Sequence, residues 1–166
     1  MQIEYIDIDK VIPYANNPRN NDGEAVDRVA ASIAEYGFKS PIIIDKDNVI
    51  VAGHTRLKAA RKLNLAKVPI IRANDLTPAQ VKAFRLAENR VSEYATWNNE
   101  LLSIELEGLQ DLEFDLDLTG FEQWELDNLL NPVSDDDLQD FFIDKEEKPK
   151  ESKKVTCPHC GESFEQ

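Results

Sequence analysis

Ile50-Val51-Ala52-Gly53-His54-Thr55-Arg56-Leu57-Lys58-Ala59-Ala60 is the stretch on which the reading of the whole chain turns. Its first residues are apolar and strand-like, whereas Leu57, Ala60 and Leu63 recur after the glycine at the spacing of a helix face. A glycine at such a junction lets the backbone approach a ligand closely. The first helical amides, backed by the helix dipole, then attract phosphate. Arg56, one turn in, is placed for a two-pronged contact with phosphate oxygens. By themselves Gly53-His54-Thr55-Arg56 suit a junction that serves packing only just as well, so the decision rests on what surrounds them.

The chain has 166 residues, 42% of them hydrophobic, enough for one domain with appendages and a real core. Its net charge of −13 is segregated. Residues 1–99 carry 14 basic against 12 acidic side chains, residues 100–144 carry 15 acidic and no basic ones, and residues 145–166 balance five against five. Between Gly53 and Arg90 nine basic residues face only Asp75 and Glu88. The suspected phosphate turn therefore lies in a positive stretch of an acidic protein. An acidic chain of this size repels DNA unless its acidic part turns away, so direct DNA binding is expected to be weak or partner-assisted. No window approaches a membrane span, and Met1-Gln2-Ile3-Glu4 lacks the order of a signal peptide, giving a cytoplasmic expectation.

Upstream, Ile3, Tyr5, Ile6, Ile8, Val11 and Ile12 form a strand-like edge ended by Pro13. Residues 14–23 are rich in turn formers, and Arg19 is the one residue there that a phosphate site can use. A helix is predicted from about Glu24 to Tyr36, stopped by Gly37. Ile42-Ile43-Ile44, Asp45-Lys46-Asp47-Asn48 and Val49-Ile50-Val51-Ala52 read as a hairpin whose second strand feeds the turn at Gly53. Val68-Pro69-Ile70-Ile71 reads as a further strand, with Pro69 suggesting its start or an edge position. Thr77-Pro78-Ala79-Gln80 is a strong helix start, and that helix carries Glu88-Asn89-Arg90, where an interior Asn is a poor choice on propensity alone.

Two acidic, greasy helices are predicted from Thr96 and from Thr119, and their apolar faces must either pack back on the head or dimerise. Residues 132–154 read as a linker, with Phe141 and Phe142 as a docking motif or a capping turn. Cys157-Pro158-His159-Cys160 is half of a zinc-ribbon pattern. A closed site needs four ligands, so a Zn2+ held by Cys157 and Cys160 would be shared with a second protomer or a partner protein, the alternative being a relic that holds no metal.

With these segments placed, the head resembles the ParB/sulfiredoxin superfamily, specifically the ParB N-terminal domain of the phage and DNA-methyltransferase-associated type. Asn17-Pro18-Arg19 resembles the family's first box, Gly37-Phe38-Lys39-Ser40-Pro41-Ile42-Ile43 its second, Gly53-His54-Thr55-Arg56-Leu57-Lys58-Ala59-Ala60 its phosphate box, and Glu88-Asn89-Arg90 its Glu-Asn motif. The resemblance implies an α+β fold, a small mixed sheet with surrounding helices, for residues 1–95. The acidic helices (96–131), the linker (132–154) and a zinc-knuckle-like tail (155–166) follow it. It implies a nucleotide, CTP or ATP with Mg2+, bound by Arg19, Gly37, Ser40, Pro41, Gly53, His54, Thr55, Arg56 and Arg90, with Glu88 at the magnesium and Glu88 and Asn89 as the catalytic pair.

There are departures. His54 and Thr55 stand where the phosphate box has Glu and its first Arg, and Ser40 stands where the family often has Gln. No helix-turn-helix is apparent after Glu100, and the cysteine that sulfiredoxin chemistry needs is missing from the Gly53 box, which excludes that activity.

The leading expectation is a nucleotide-binding module of phage or plasmid DNA metabolism, with slow, switch-like hydrolysis controlling dimerisation or partner binding. The alternatives are a metal-dependent nuclease or small-molecule kinase of the same superfamily, and a non-catalytic adaptor in a DNA packaging or modification complex. A homodimer and a DNA-processing partner are the expected associations.

Overall fold

A computed structural model of the chain describes residues 2–20, 23–132, 154–156, 159 and 163–165. They fall into two compact units, Met1–Leu130 and Asn131–Gln166. The first holds a mixed four-stranded sheet made of β1 (Ile3–Asp7), β2 (Ile42–Ile44), β3 (Ile50–Ala52) and β4 (Lys67–Arg72), in the order β1-β4-β2-β3. β1 runs antiparallel to β4, β4 parallel to β2, and β2 antiparallel to β3. Helices α1 (Gly23–Tyr36), α2 (His54–Lys62) and α3 (Pro78–Val91) surround it. The mixed sheet and its helices match the expected fold class. Ile42, Ile44, Ile50, Val68 and Ile70 are fully buried and pack with Ile8, Val11, Leu57 and Ala60 into one core, so α2 is fastened to the sheet directly behind the Gly53 turn.

The hairpin forms as predicted, and its turn chemistry explains why. Asp45 Oδ1 accepts from the amides of Asp47 and Val49, both at 2.9 Å, and Asn48 takes the left-handed conformation (φ 61°) that asparagine tolerates. The N-terminal edge is less regular than expected. After β1 a 3-10 turn at Ile8–Lys10 carries the chain across, and Ile12 bridges Val49 at the opposite edge of the sheet.

Pro69 corrects another expectation, because β4 is an interior strand. Ile8 N donates to Ala66 O (3.0 Å) in the same register that pairs Tyr5 with Pro69. Antiparallel ladders alternate, so Pro69 falls at a position whose nitrogen does not face β1. On its other side the pairing with β2 begins only at Ile70, opposite Ile42. The missing N–H removes no ladder bond to β1.

The start of α3 is as predicted: Thr77 Oγ1 accepts from Gln80 N, while Gln80 Oε1 accepts from Thr77 N at 2.9 Å. The acidic segment forms α4 (Asn99–Asp111), capped by Asn98 rather than by Thr96, then a 3-10 turn at Leu116–Thr119 and α5 (Gln123–Leu130). α4 and α5 pack on each other with Leu106 and Leu126 buried, and the 3-10 turn between them packs back on α1. There Arg28 reaches Gly120 O and Glu122, and the Tyr36 and Phe114 rings stack at 6.5 Å. Leu101 and Ile104 remain exposed on α4.

In the second unit β5 (Lys154–Thr156) and β6 (Ser163–Glu165) pair antiparallel. Cys157, Cys160, Phe141, Phe142 and the linker lie outside the described residues. Among the described residues no helix is long and apolar enough to cross a membrane.

Candidate functional site

The sequence places the turn at Gly53 between a buried strand and a buried helix, and the structure shows what that demands. Gly53 sits at φ 104°, ψ 32°, caps α2 without a side chain, and would aim a Cβ at Arg56 Cζ and Nε (3.3 Å) and Ile42 Cα (3.5 Å). A side chain here would be strained in backbone and crowded in space. The turn opens onto a cleft of about 390 Å³ lined by Arg19, Gly53, His54, Thr55, Arg56, Glu88 and Asn89, among others. Seven of the residues singled out in the sequence thus meet around one cavity, drawn from the loop before α1, from the β3–α2 turn and from α3.

Each is held by chemistry the sequence only hinted at. Asn89 Oδ1 accepts from Arg19 Nη1 (3.0 Å), and its Nδ2 donates to Arg85 O one turn back (2.9 Å). The interior asparagine is therefore a bridge that aims Arg19, which offsets its poor helix propensity. Arg56 Nη1 donates to Ser40 O (3.1 Å) and also to Pro41 O, while Nη2 lies 3.8 Å from Glu88 Oε1. Ser40 and Pro41 thereby meet Arg56 of the Gly53 turn through their carbonyls. Gly37 and Ser40 line an adjoining hollow of about 450 Å³ with Tyr36, Phe38 and Lys39. Arg90 is not brought in; it pairs with Glu93, stacks over the Tyr94 ring (4.9 Å), and is exposed.

His54 has a definite task. Its Nε2 accepts from the Tyr14 amide (3.2 Å), which ties the loop carrying Arg19 to the first turn of α2 and leaves the ring proton of the neutral imidazole on Nδ1. Burial, then the nearby charges of Arg85 and Lys58, hold its pKa below the ordinary imidazole value of 6.5. Because the folded value is the depressed one, the unfolded chain takes up this proton first as pH falls. The neutral ring thus contributes stability that is fully present above 6.5 and lost below it. Relative to a His54→Gln variant, which keeps an acceptor for Tyr14 N–H, the wild type is expected to lose thermal stability between neutral pH and pH ~5. Parallel pH profiles for the two proteins would refute this.

Arg85 is the residue the sequence reading missed. Its Nε donates to Ile50 O (2.9 Å), its Nη2 to Asp45 Oδ2 (3.0 Å), and its guanidinium lies 4.0 Å from the Tyr14 ring centroid. One side chain joins the hairpin, α3 and the loop held by His54. No local pattern marks it, since its partners are 35, 40 and 71 residues away in sequence.

Chemically, the described residues of the cleft offer two guanidiniums, a helix N-terminus and a single lining carboxylate. Such a set suits a polyphosphate, and Glu88 beside it suits Mg2+, which is held by one or two carboxylates together with substrate phosphates. The family model described as ParB N-terminal domain matches residues 1–90. The chain belongs to this family. A ParB-like nuclease domain-containing protein, YnaK, from Escherichia coli (strain K12) is 36% identical to this ParB N-terminal domain protein over 80 residues, covering 48% of this chain and 92% of that one.

A probable chromosome-partitioning protein ParB from Campylobacter jejuni is 36% identical over 92 residues, 53% of this chain but only 33% of the relative. Among solved structures, the C-terminally truncated chromosome-partitioning protein ParB from Caulobacter crescentus, complexed with CTP-gamma-S, superposes with a TM-score of 0.66 at 22% identity. That superposition covers 85% of this chain and 84% of the other, and shows the shared fold.

A second model, described as ParB-methyltransferase HTH domain, matches residues 100–158. This match runs against the expectation that no helix-turn-helix is apparent after Glu100. Within that range the described residues form α4, the 3-10 turn and α5, with Leu106 and Leu126 buried.

Proposed function

We propose that this ParB N-terminal domain protein is a nucleotide-binding module that takes CTP or ATP with Mg2+ in the Gly53 cleft. One observation carries the reading: Gly53, Arg19, Asn89, Arg56 and Glu88, contributed by separate segments, converge on one cavity. The phosphates lie against the first turn of α2 and Arg19, Glu88 holds the metal with phosphate oxygens, and the base extends toward the hollow at Tyr36 and Ser40. The Caulobacter relative in complex with CTP-gamma-S supports CTP as the first nucleotide to try.

Hydrolysis, where it occurs, is slow. The lone pair of His54 Nε2 is engaged by Tyr14 N–H and Glu88 is committed to the metal, so neither is poised as a base for an attacking water. Slow turnover suits a switch in which nucleotide state controls self-association or partner binding. A nuclease reading ranks lower, because Glu88 is the one carboxylate among the described residues lining the cleft.

A thermal-shift panel of CTP, ATP, GTP and UTP, each with and without Mg2+, tests the proposal. Ligand at a hundredfold excess over Kd stabilises by ~2.7 kcal/mol, and a magnesium-dependent rise of several degrees with one triphosphate is the expected result. No rise with any of the four would overturn it.

A further inference from the structure

Helix α4 is apolar on two sides, and the fold accounts for one of them. On its inner side Leu106 is buried, with Leu102 and Leu109 half-buried beside it, where α4 packs on α5. On its outer side Leu101, Ile104 and Gly108 recur at i, i+3 and i+7, and Leu112, the C-cap residue, continues the row at i+11. Leu101, Ile104 and Leu112 are 62%, 61% and 77% exposed, and a Cβ added at Gly108 would meet nothing within 4 Å. Trp97, which precedes the capping Asn98, stands exposed at the N-terminal end of the row, although its ring lies 5.5 Å from that of Phe121. Single exposed leucines are ordinary on a protein surface, but a contiguous row along one helix marks a contact face.

The charge around the row says what covers it. Residues 100–144 carry 15 acidic side chains and no basic one. At helical spacing Glu105 flanks the row on one side and Glu100 and Asp111 on the other, and all three are exposed. Two copies of the chain meeting through this face would bring these carboxylates against their own kind, and a nucleic acid would bring phosphates against them.

We propose that the outer face of α4 docks a basic amphipathic helix of a partner protein. The apolar residues of that helix lie along Trp97, Leu101, Ile104 and Leu112, and its Lys or Arg side chains reach the flanking carboxylates. The row from Leu101 to Leu112 is roughly 16 Å long, enough for about three turns of a partner helix, and Gly108 lets the two backbones approach. None of these residues lines the Gly53 cleft, so docking is measured whether or not a nucleotide binds.

The probe is an amidated synthetic peptide of lysine and leucine, about four turns long, with leucine at i, i+3, i+4 and i+7, titrated calorimetrically into the full chain. One control peptide carries serine in place of leucine, and another glutamate in place of lysine. In a Trp124→Phe protein Trp97 is the single tryptophan left, and its emission reports contact with the row. The lysine–leucine peptide is expected to bind, to shift that emission to the blue and to weaken as salt rises, and each control should bind at least about tenfold more weakly. Leu101→Gln/Ile104→Gln keeps the charge, while Glu100→Gln/Glu105→Gln/Asp111→Asn keeps the apolar row. Both alter exposed side chains only, and each should lower the affinity at least about tenfold.

Equal binding to the Leu101→Gln/Ile104→Gln protein, or equal binding of the serine peptide, would reduce the effect to charge alone and overturn the proposal. Binding that leaves Trp97 emission unchanged would overturn it as well. Equilibrium sedimentation of the unliganded chain checks the competing occupants. A dimer abolished by Leu101→Gln/Ile104→Gln would assign the face to a second copy, and duplex DNA binding lost in the same variant would assign it to nucleic acid, either result overturning the proposal.

Discussion

Replacing Arg85 with alanine is expected to destabilise the protein by about 3 kcal/mol, the lower end of the cost of removing one partner from a buried ion pair, because this pair is part-buried. The Arg85 and Asp45 side chains are only 11% and 16% exposed, so the carboxylate left behind has little water to turn to. Its Oδ1 keeps the amides of Asp47 and Val49, but Oδ2 loses its guanidinium. For a chain of this size the loss corresponds to a fall in Tm of roughly 10 °C.

A second readout separates positioning from plain structural support. Arg85 sits over Tyr14, whose amide holds His54, and after burial its charge is the next cause of the depressed imidazole pKa. In the variant the His54 titration, followed by NMR under folding conditions, should move up toward the ordinary value. Arg85→Lys should retain much of the charge effect on His54 while losing the fork that reaches Ile50 O and Asp45 at once. A loss of stability under 1 kcal/mol in Arg85→Ala, with an unmoved His54, would contradict this role.

Gly53→Ala is expected to cost about 1–3 kcal/mol in backbone strain, because alanine is poorly tolerated at φ 104°. The new methyl also meets the Arg56 guanidinium at 3.3 Å. Arg56 then has to leave the carbonyls of Ser40 and Pro41 or the turn has to shift, and either change displaces the amides proposed to face the phosphates. Misplacement of this kind by even one ångström removes a large part of a site's binding energy, so nucleotide affinity should fall by at least about tenfold. Wild-type affinity in a stably folded Gly53→Ala protein would show that the turn does not face the phosphates.

Much of this was legible in the sequence wherever local chemistry speaks for itself. The strand, glycine and helix around Gly53, the Asp45–Asn48 turn and the Thr77–Gln80 capping box are short-range patterns with short-range causes, and each stands in the structure as read. Asn89 stood out because its type is wrong for a helix interior, and a residue that breaks a local rule is often answering to a distant partner, here Arg19.

What stayed hidden depends on long-range geometry. Nothing near Pro69 says that its nitrogen will face away from β1, nothing near Arg85 says that Asp45 and Tyr14 will meet it, and nothing at Arg90 says that it will turn to Glu93. The match over residues 100–158 stayed hidden for a different reason: charge was used to judge a segment whose helices pack through apolar residues such as Leu106 and Leu126.

The central claim is that the Gly53 cleft binds a nucleoside triphosphate with magnesium. A 1H–15N correlation titration of the 18.9 kDa chain with CTP and with ATP, each with Mg2+, tests it at the level of single residues. The account predicts the largest shifts at the amides of Gly53, His54, Thr55, Arg56 and Leu57, with the side-chain amide of Asn89 and the guanidinium of Arg19 following. Spectra unchanged by either nucleotide, or changes confined to α4 and α5, would contradict it.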